Sequence, residues 1–545
     1  MNEENRPEEL DREQPQPEIT PEAPNPFASP LYDRAYAPAP EPSYFATGRR
    51  ELGYAVFLLL ACLMAIDGFL WTATGLLASA ACVALALIGG CYLLRGGRRW
   101  SCYGIFCYAA YLACALTFVL TDSGAADFPM VLLMVLLAAV AMLERTGLRQ
   151  YTDGSFRSIA DLCYMVFALT FGKIGQAFFT LFHRDGGEKR RIGSVLLGIL
   201  IAVPVLFVIL PLLISSDVAF AAMLERWLAI DRFSELVGVL VLGFFLFVLL
   251  FGRLISLPRV KRSDPPASLC GGLEPTVVIS FLAVISAVYA LYLFSQLAYF
   301  FNAFSGLLPK EFTVAEYARR GFFEMTLISA LNLGLIFLAH LVCRKKDGRT
   351  PLAVRLLSLF LCVFSLILSV TVLSKLRLYI ASFGMTKLRI LTSVFTVFLM
   401  IVFLAVALRL FFRRVPYMKI AFAAAVVLTL VSAYADTDRV IAHYNVDAYL
   451  TGKLDTIDME SLKWLHSDAI VEDVLRLVDV PDAEVAQQAK ELLTDHANRL
   501  FELHETADGG TYTAYGDWRS WNTVESNARE LLAAHYDEYY QNEAE

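Results

Sequence analysis

The chain has 545 residues, of which 57% are hydrophobic and 18% charged, and its mean hydropathy is +0.55. A single water-soluble core is excluded by that composition, which points to lipid as the solvent. The formal charge of −7 comes from the two ends: residues 1–50 hold five basic against ten acidic side chains and residues 436–545 hold eight against twenty-four, which leaves +14 in the apolar middle. Nucleic-acid binding, which needs a basic face on a soluble module, is not expected.

Residues 1–50 carry ten of the 21 prolines, mixed with Glu, Gln and Ala. Such a segment buries too little apolar surface to offset its ordering entropy and reads as a disordered cytoplasmic tail. It begins acidic and lacks an early apolar run, so it is no signal peptide. Pro21-Glu-Ala-Pro24 has the spacing of a polyproline docking motif, which this composition produces by chance.

Eleven apolar runs follow, long enough to cross about 30 Å of hydrocarbon as helix. They are Leu52–Trp71, Ala73–Leu94, Trp100–Thr121, Phe128–Leu143, Gly193–Ile214, Leu236–Ile255, Pro275–Phe304, Phe322–Cys343, Leu352–Ser374, Ile390–Phe412 and Ile420–Ala435. With Arg49 and Arg50 inside, alternate loops should be basic. Arg95/Arg98/Arg99, Arg145 to Arg191, Arg253/Arg259/Lys261/Arg262, Arg344/Lys345/Lys346/Arg349 and Arg409/Arg413/Arg414/Lys419 obey that rule. An odd count puts the C-terminus outside. The ten cysteines fall in apolar runs or beside basic loops and read as small buried hydrophobes.

Two segments lie between spans. Residues 158–182 are interrupted by Asp161, Lys173 and Gln176 and flanked by basic residues at both ends, which predicts an interfacial or re-entrant segment. Residues 217–233 place Phe220, Met223, Leu224, Trp227 and Leu228 opposite Glu225, Arg226 and Asp231, which predicts an amphipathic helix on the outer surface.

The last 110 residues are expected to form a small acidic helical domain. Ser467 and Asp482 stand where helix caps belong, and Asn522 with Glu525 has capping-box spacing. The predicted fold class is therefore all-α: a polytopic helical membrane protein of about eleven spans with a soluble helical C-terminal domain.

No zinc-binding His pair, nucleophile elbow or phosphate-binding glycine loop is present, so no cofactor, metal or catalytic residue is assigned. Asp436-Thr-Asp438 at the last membrane exit reads as a solvated helix end. The informative anomaly is charge: two loops assigned to the outside carry Lys310, Arg319 and Arg320 in one, and Lys375, Arg377, Lys387 and Arg389 in the other. As a helix, Glu316, Arg320 and Glu324 fall in one i, i+4 line, which pairs Arg320 on both sides. These cations either bind an anionic ligand at the outer leaflet or snorkel to lipid headgroups. Asn332 and His340 share a helix face and either line a polar path or hydrogen-bond between helices.

The segments Glu316–Glu324, Tyr379–Arg389, Asn445-Val-Asp-Ala-Tyr-Leu450 and Tyr515–Asn522 resemble a family of bacterial multi-pass membrane proteins known as a domain of unknown function, found largely in Firmicutes. The resemblance implies a bacterial cytoplasmic membrane and supplies no catalytic residue, substrate or cofactor. Two functions lead: binding or moving an anionic or lipid-linked envelope ligand at the outer basic cluster, or sensing or scaffolding through an exterior domain that binds an envelope protein; an enzyme with a site assembled from lone carboxylates ranks third. Membrane lipids are expected partners in both.

Overall fold

The computed structural model describes residues 49–94, 100–151, 157–177, 231–260, 272–305, 322–344, 350–505, 511–513 and 518–535, apart from single positions inside these stretches, together with Tyr539 and isolated positions between 209 and 217. Among them, ten helices are long and apolar enough to cross a membrane. They are α1 (Arg49–Ile66, continued by a π-helical turn Asp67–Trp71), α2 (Leu76–Leu94), α3 (Cys102–Leu120), α4 (Gly124–Thr146), α6 (Asp231–Ser256), α7 (Pro275–Ser305), α8 (Phe322–Val342), α9 (Leu352–Phe383), α10 (Lys387–Phe411) and α11 (Tyr417–Tyr434). Each coincides with one of the apolar runs. The remaining run, Gly193–Ile214, lies outside the described residues apart from isolated positions. The proline-rich tail before Arg49 and most of the 217–233 segment also lie outside them.

Two helix groups form the bundle. In one, Cys82 of α2, Cys107 and Phe118 of α3 and Leu137 of α4 share a buried core, while Leu58 and Cys62 of α1 pack on Phe247 and Phe251 of α6. In the other, Leu282 of α7, Ile336 of α8, Leu361 of α9 and Phe403 of α10 pack together. Helix α11 joins the groups: its Val426 is buried in the first, and its Tyr417 and Ala421 lie against the second. The outward faces carry exposed Phe57, Leu291, Phe294 and Leu404, as a lipid-facing surface requires.

Between α4 and α6 lies a shorter apolar helical segment, α5 (Ser158–Phe171). Its Met165 and Leu169 pack on Leu93, Leu143, Leu148 and Leu257, all near the end of the bundle from which α1 starts. We call that the basal end. Asp161 is buried and accepts the backbone N–H groups of Gln150 and Tyr151 at 3.2 and 3.0 Å, so the charge that interrupts the apolar run folds the preceding turn.

Helix α9 differs from expectation. It runs on past Ser374 to Phe383, so Lys375 and Arg377 are helical rather than in a loop. At 32 residues it is about 48 Å long, well beyond the hydrocarbon thickness. It ends at Gly384, whose φ of +73° is a backbone setting that favours glycine.

After α11 the chain turns through Asp436, at φ +47°, into the C-terminal region: α12 (Thr437–Leu450), α13 (Met459–Lys463), α14 (Val471–Leu475), α15 (Ala483–Phe501) and α16 (Thr523–Ala533). Ser467, Asp482 and Asn522 accept backbone N–H bonds at the predicted cap positions. Among the described residues, one short antiparallel hairpin, β1 (Leu503–Glu505) with β2 (Thr511–Thr513), and an isolated bridge between Leu273 and Cys343 accompany the helices. The core of this region joins Ile441, Val446, Leu462, Val474, Leu493 and Leu532, and Met385 of the α9–α10 turn packs against it.

This region meets the bundle closely at Gly75. A Cβ there would lie 2.2 Å from the carbonyl oxygen of Ser520. Gly75→Ala is therefore expected to destabilise the docked C-terminal region by about 1–3 kcal/mol, measured as a lower melting temperature and faster proteolysis of residues 436–545.

Candidate functional site: a helical domain that caps the bundle

The first N–H groups and last C=O groups of a helix lack intrahelical partners. At the end of the bundle opposite the basal one, the C-terminal region provides them. Leu76 and Leu77, at the start of α2, donate their N–H groups to the carbonyls of Trp521 and Arg519 at 3.0 and 2.9 Å. The hydroxyl of Thr523 donates to the carbonyl of Leu120, the last residue of α3, at 3.2 Å. Asp122, in the turn that follows, accepts the N–H of Asp468 at 3.0 Å.

Side chains lock the same surface. One Arg519 nitrogen lies 3.0 Å from both Asp67 at the end of α1 and Glu235 at the start of α6. Asn445 of α12 brackets the α9–α10 turn, accepting the N–H of Met385 at 2.6 Å and donating to its carbonyl at 2.9 Å. Lys387 pairs at 2.9 Å with the buried carboxylate of Asp438.

The predicted outer cations separate accordingly. Lys387 is tied to Asp438. Arg389 donates to the carbonyls of Phe383 and Gly384 and lies 4.1 Å above the Tyr379 ring, so it closes its own turn. Arg377 is exposed on α9, and Glu324 is exposed in the first turn of α8. Glu316, Arg319 and Arg320 lie outside the described residues.

The intramembrane pair joins helices. Asn332 accepts the Tyr289 hydroxyl of α7 at 2.7 Å and donates to Ser365 of α9 at 3.0 Å. His340 lies 3.1 Å from the Ser358 hydroxyl of α9 and 3.5 Å from that of Thr350.

Behind Asp122 is a cluster of titratable groups that no local pattern announces. Asp468 binds His496 at 2.7 Å and Arg499. Burial by itself would raise the Asp468 carboxyl, but the His496 hydrogen bond and the Arg499 charge hold it below its usual range. Asp122 moves upward, through burial first and the neighbouring Asp468 carboxylate second. Glu525 is pushed up to about 7, mainly by burial, against the opposing charge of Arg529. Its Oε2 accepts from Asn522 at 2.9 Å. Among the described residues, no group of three or more His, Cys, Asp or Glu side chains is arranged to hold a metal ion.

These features define a polytopic helical membrane protein whose C-terminal region is keyed into the helix ends on one face. Residues 108–474 match a domain of unknown function (DUF4153), and the chain belongs to that family. The match ends within α14, so the Tyr515–Asn522 segment, including the Arg519–Trp521 contact, lies beyond it. Comparisons with curated proteins and with solved structures give no match.

Asp122 and Glu525 have folded pKa values above their unfolded ones, so their contribution to stability is full below the unfolded carboxylate range near pH 4 and is lost as pH rises through the folded value. For Glu525 that loss is nearly complete by about pH 7. The C-terminal region is expected to unfold at a higher temperature at pH 5.5 than at pH 8.5. Glu525→Gln should flatten that difference, read by thermal unfolding at the two pH values.

Proposed function

We propose that this chain is a non-transporting sensor or scaffold of the bacterial cytoplasmic membrane, with its N-terminus inside. In this reading the C-terminal domain stands outside, receives an envelope protein partner, and passes its displacement to the bundle. One observation carries the proposal: the domain holds three separate interhelical turns, at residues 72–77, 121–122 and 384–387, through backbone and buried side-chain bonds. A load on the domain is thus a load on α1, α2, α3, α6, α9 and α10 together. The competing reading, an anionic or lipid-linked ligand at the outer basic cluster, is weakened because Lys387 and Arg389 already have protein partners.

Coupling is tested by hydrogen exchange on the full chain. Arg519→Leu removes the contacts to Asp67 and Glu235 and is expected to increase exchange in residues 67–77 and also in the 384–387 turn. An increase confined to residues 518–521 would make the domain a passive appendage and reject the transducer reading.

Orientation has its own test. Residues 436–545 contain no cysteine, and Gln488 is exposed on α15. In a cysteine-free background, Gln488→Cys is expected to react with an impermeant maleimide on intact cells. Reaction only after lysis would place the domain inside.

A further inference from the structure

A cavity of about 870 Å³ lies among α1, α2, α4, α5 and α6, within the size range of small-ligand sites. Its walls are almost entirely apolar, with Leu58, Gly89, Met134 and Leu250 among them, and Trp100 and Arg253 line it toward the basal end. Phe128, Phe167 and Phe171 also line it while remaining exposed, so it opens onto the lipid-facing surface. It takes no part in the capping contacts described above.

Arg253 is the anomaly of this cavity. Counted with the loop cations in the sequence, it belongs to the last turn of α6 and is only 5% exposed. Among the described residues, its Nε and Nη2 atoms have no hydrogen-bond partner. A cation near a helix end ordinarily snorkels to the interface. This one is held inward, beside Gly252, against which the carbonyl of Lys173 packs closely. A buried guanidinium without a counter-charge is costly, and its fork of donors matches a phosphate or carboxylate. Arg145, in the last turn of α4, is likewise buried at the basal end, where it lies over the Trp100 ring at 5.6 Å.

We propose that this cavity is a binding site for an anionic lipid, with the headgroup phosphate on Arg253 and an acyl chain along the wall past Gly89. Arg253 stands at headgroup depth because it lies three residues from the end of a span, and the apolar walls continue from it into the hydrocarbon. Gly89 leaves room for the chain, since a Cβ there would meet nothing within 4 Å.

The test uses the full chain in nanodiscs of phosphatidylcholine, with and without phosphatidylglycerol, followed by native mass spectrometry of retained lipid and by thermal unfolding. A charge-assisted phosphate contact predicts about tenfold preferential retention of phosphatidylglycerol and a higher melting temperature in its presence. Arg253→Gln should abolish both while melting no lower than wild type in pure phosphatidylcholine, and Arg253→Lys should restore part of the preference. Gly89→Leu, which fills the cavity and leaves the guanidinium in place, should reduce lipid retention. Equal retention of the two lipids by wild type, or unchanged preference in Arg253→Gln, would mean non-selective filling and overturn the proposal. So would an Arg253-dependent stabilisation of equal size by inorganic phosphate alone, which would identify the ligand as a free anion.

Discussion

A helix that ends at a membrane surface exposes polar backbone groups where water is scarce, and each group left without a partner is expensive. Here one end of the bundle is finished by the chain's own C-terminal region. Carbonyls of Arg519 and Trp521 accept the first N–H groups of α2, and the Thr523 hydroxyl donates to the last carbonyl of α3. Much of the local structure follows from that contact. Residue 75 lacks a side chain because the carbonyl of Ser520 comes too close for one. Asp67 and Glu235, on different helices, share one guanidinium.

The same docking gives a physical account of the break in the charge rule. The C-terminal region carries −16, and it sits on the turn that holds Lys387 and Arg389. Lys387 has a buried carboxylate beside it, and Arg389 satisfies carbonyls freed where α9 stops. Lys387 and Arg389 are thus matched within the protein, which offsets the penalty that the positive-inside rule describes. Their presence in loops assigned to the outside therefore does not require an external anion.

Away from that face, polar groups are economical. At the basal end, Glu144 accepts from Ser101 at 3.1 Å and pairs with Arg149 at 2.5 Å and Lys419 at 2.8 Å, which joins α4 to the start of α11. In the membrane interior, Asn332 uses both its carbonyl and its amide to hold α7, α8 and α9 together, and nearer the basal end Arg355, in the first turn of α9, donates to the carbonyl of Leu410 at the end of α10. Interhelical hydrogen bonds of this kind fix which helices are neighbours when lipid offers no hydrophobic preference among them. Among the described residues, Arg145 and Arg253 each leave two buried nitrogens without such a partner, but Arg145 still donates a third to the carbonyl of Leu94.

The amino-acid sequence by itself determined the helical class, ten of the spans and the caps at Ser467, Asp482 and Asn522, because these depend on local hydropathy and on side chains within a few residues of a helix start. It also singled out the α9–α10 cations, through a loop-charge rule that needs no fold. Tertiary structure alone decided what those residues do. Asp67 and Arg519 are 452 residues apart, and Asp122 and Asp468 are 346 apart, so no periodicity connects them. Burial of Arg253 was equally hidden. In sequence it is one more basic residue after an apolar run, and only the packing of α5 and α6 around it withholds the water that a loop arginine would have.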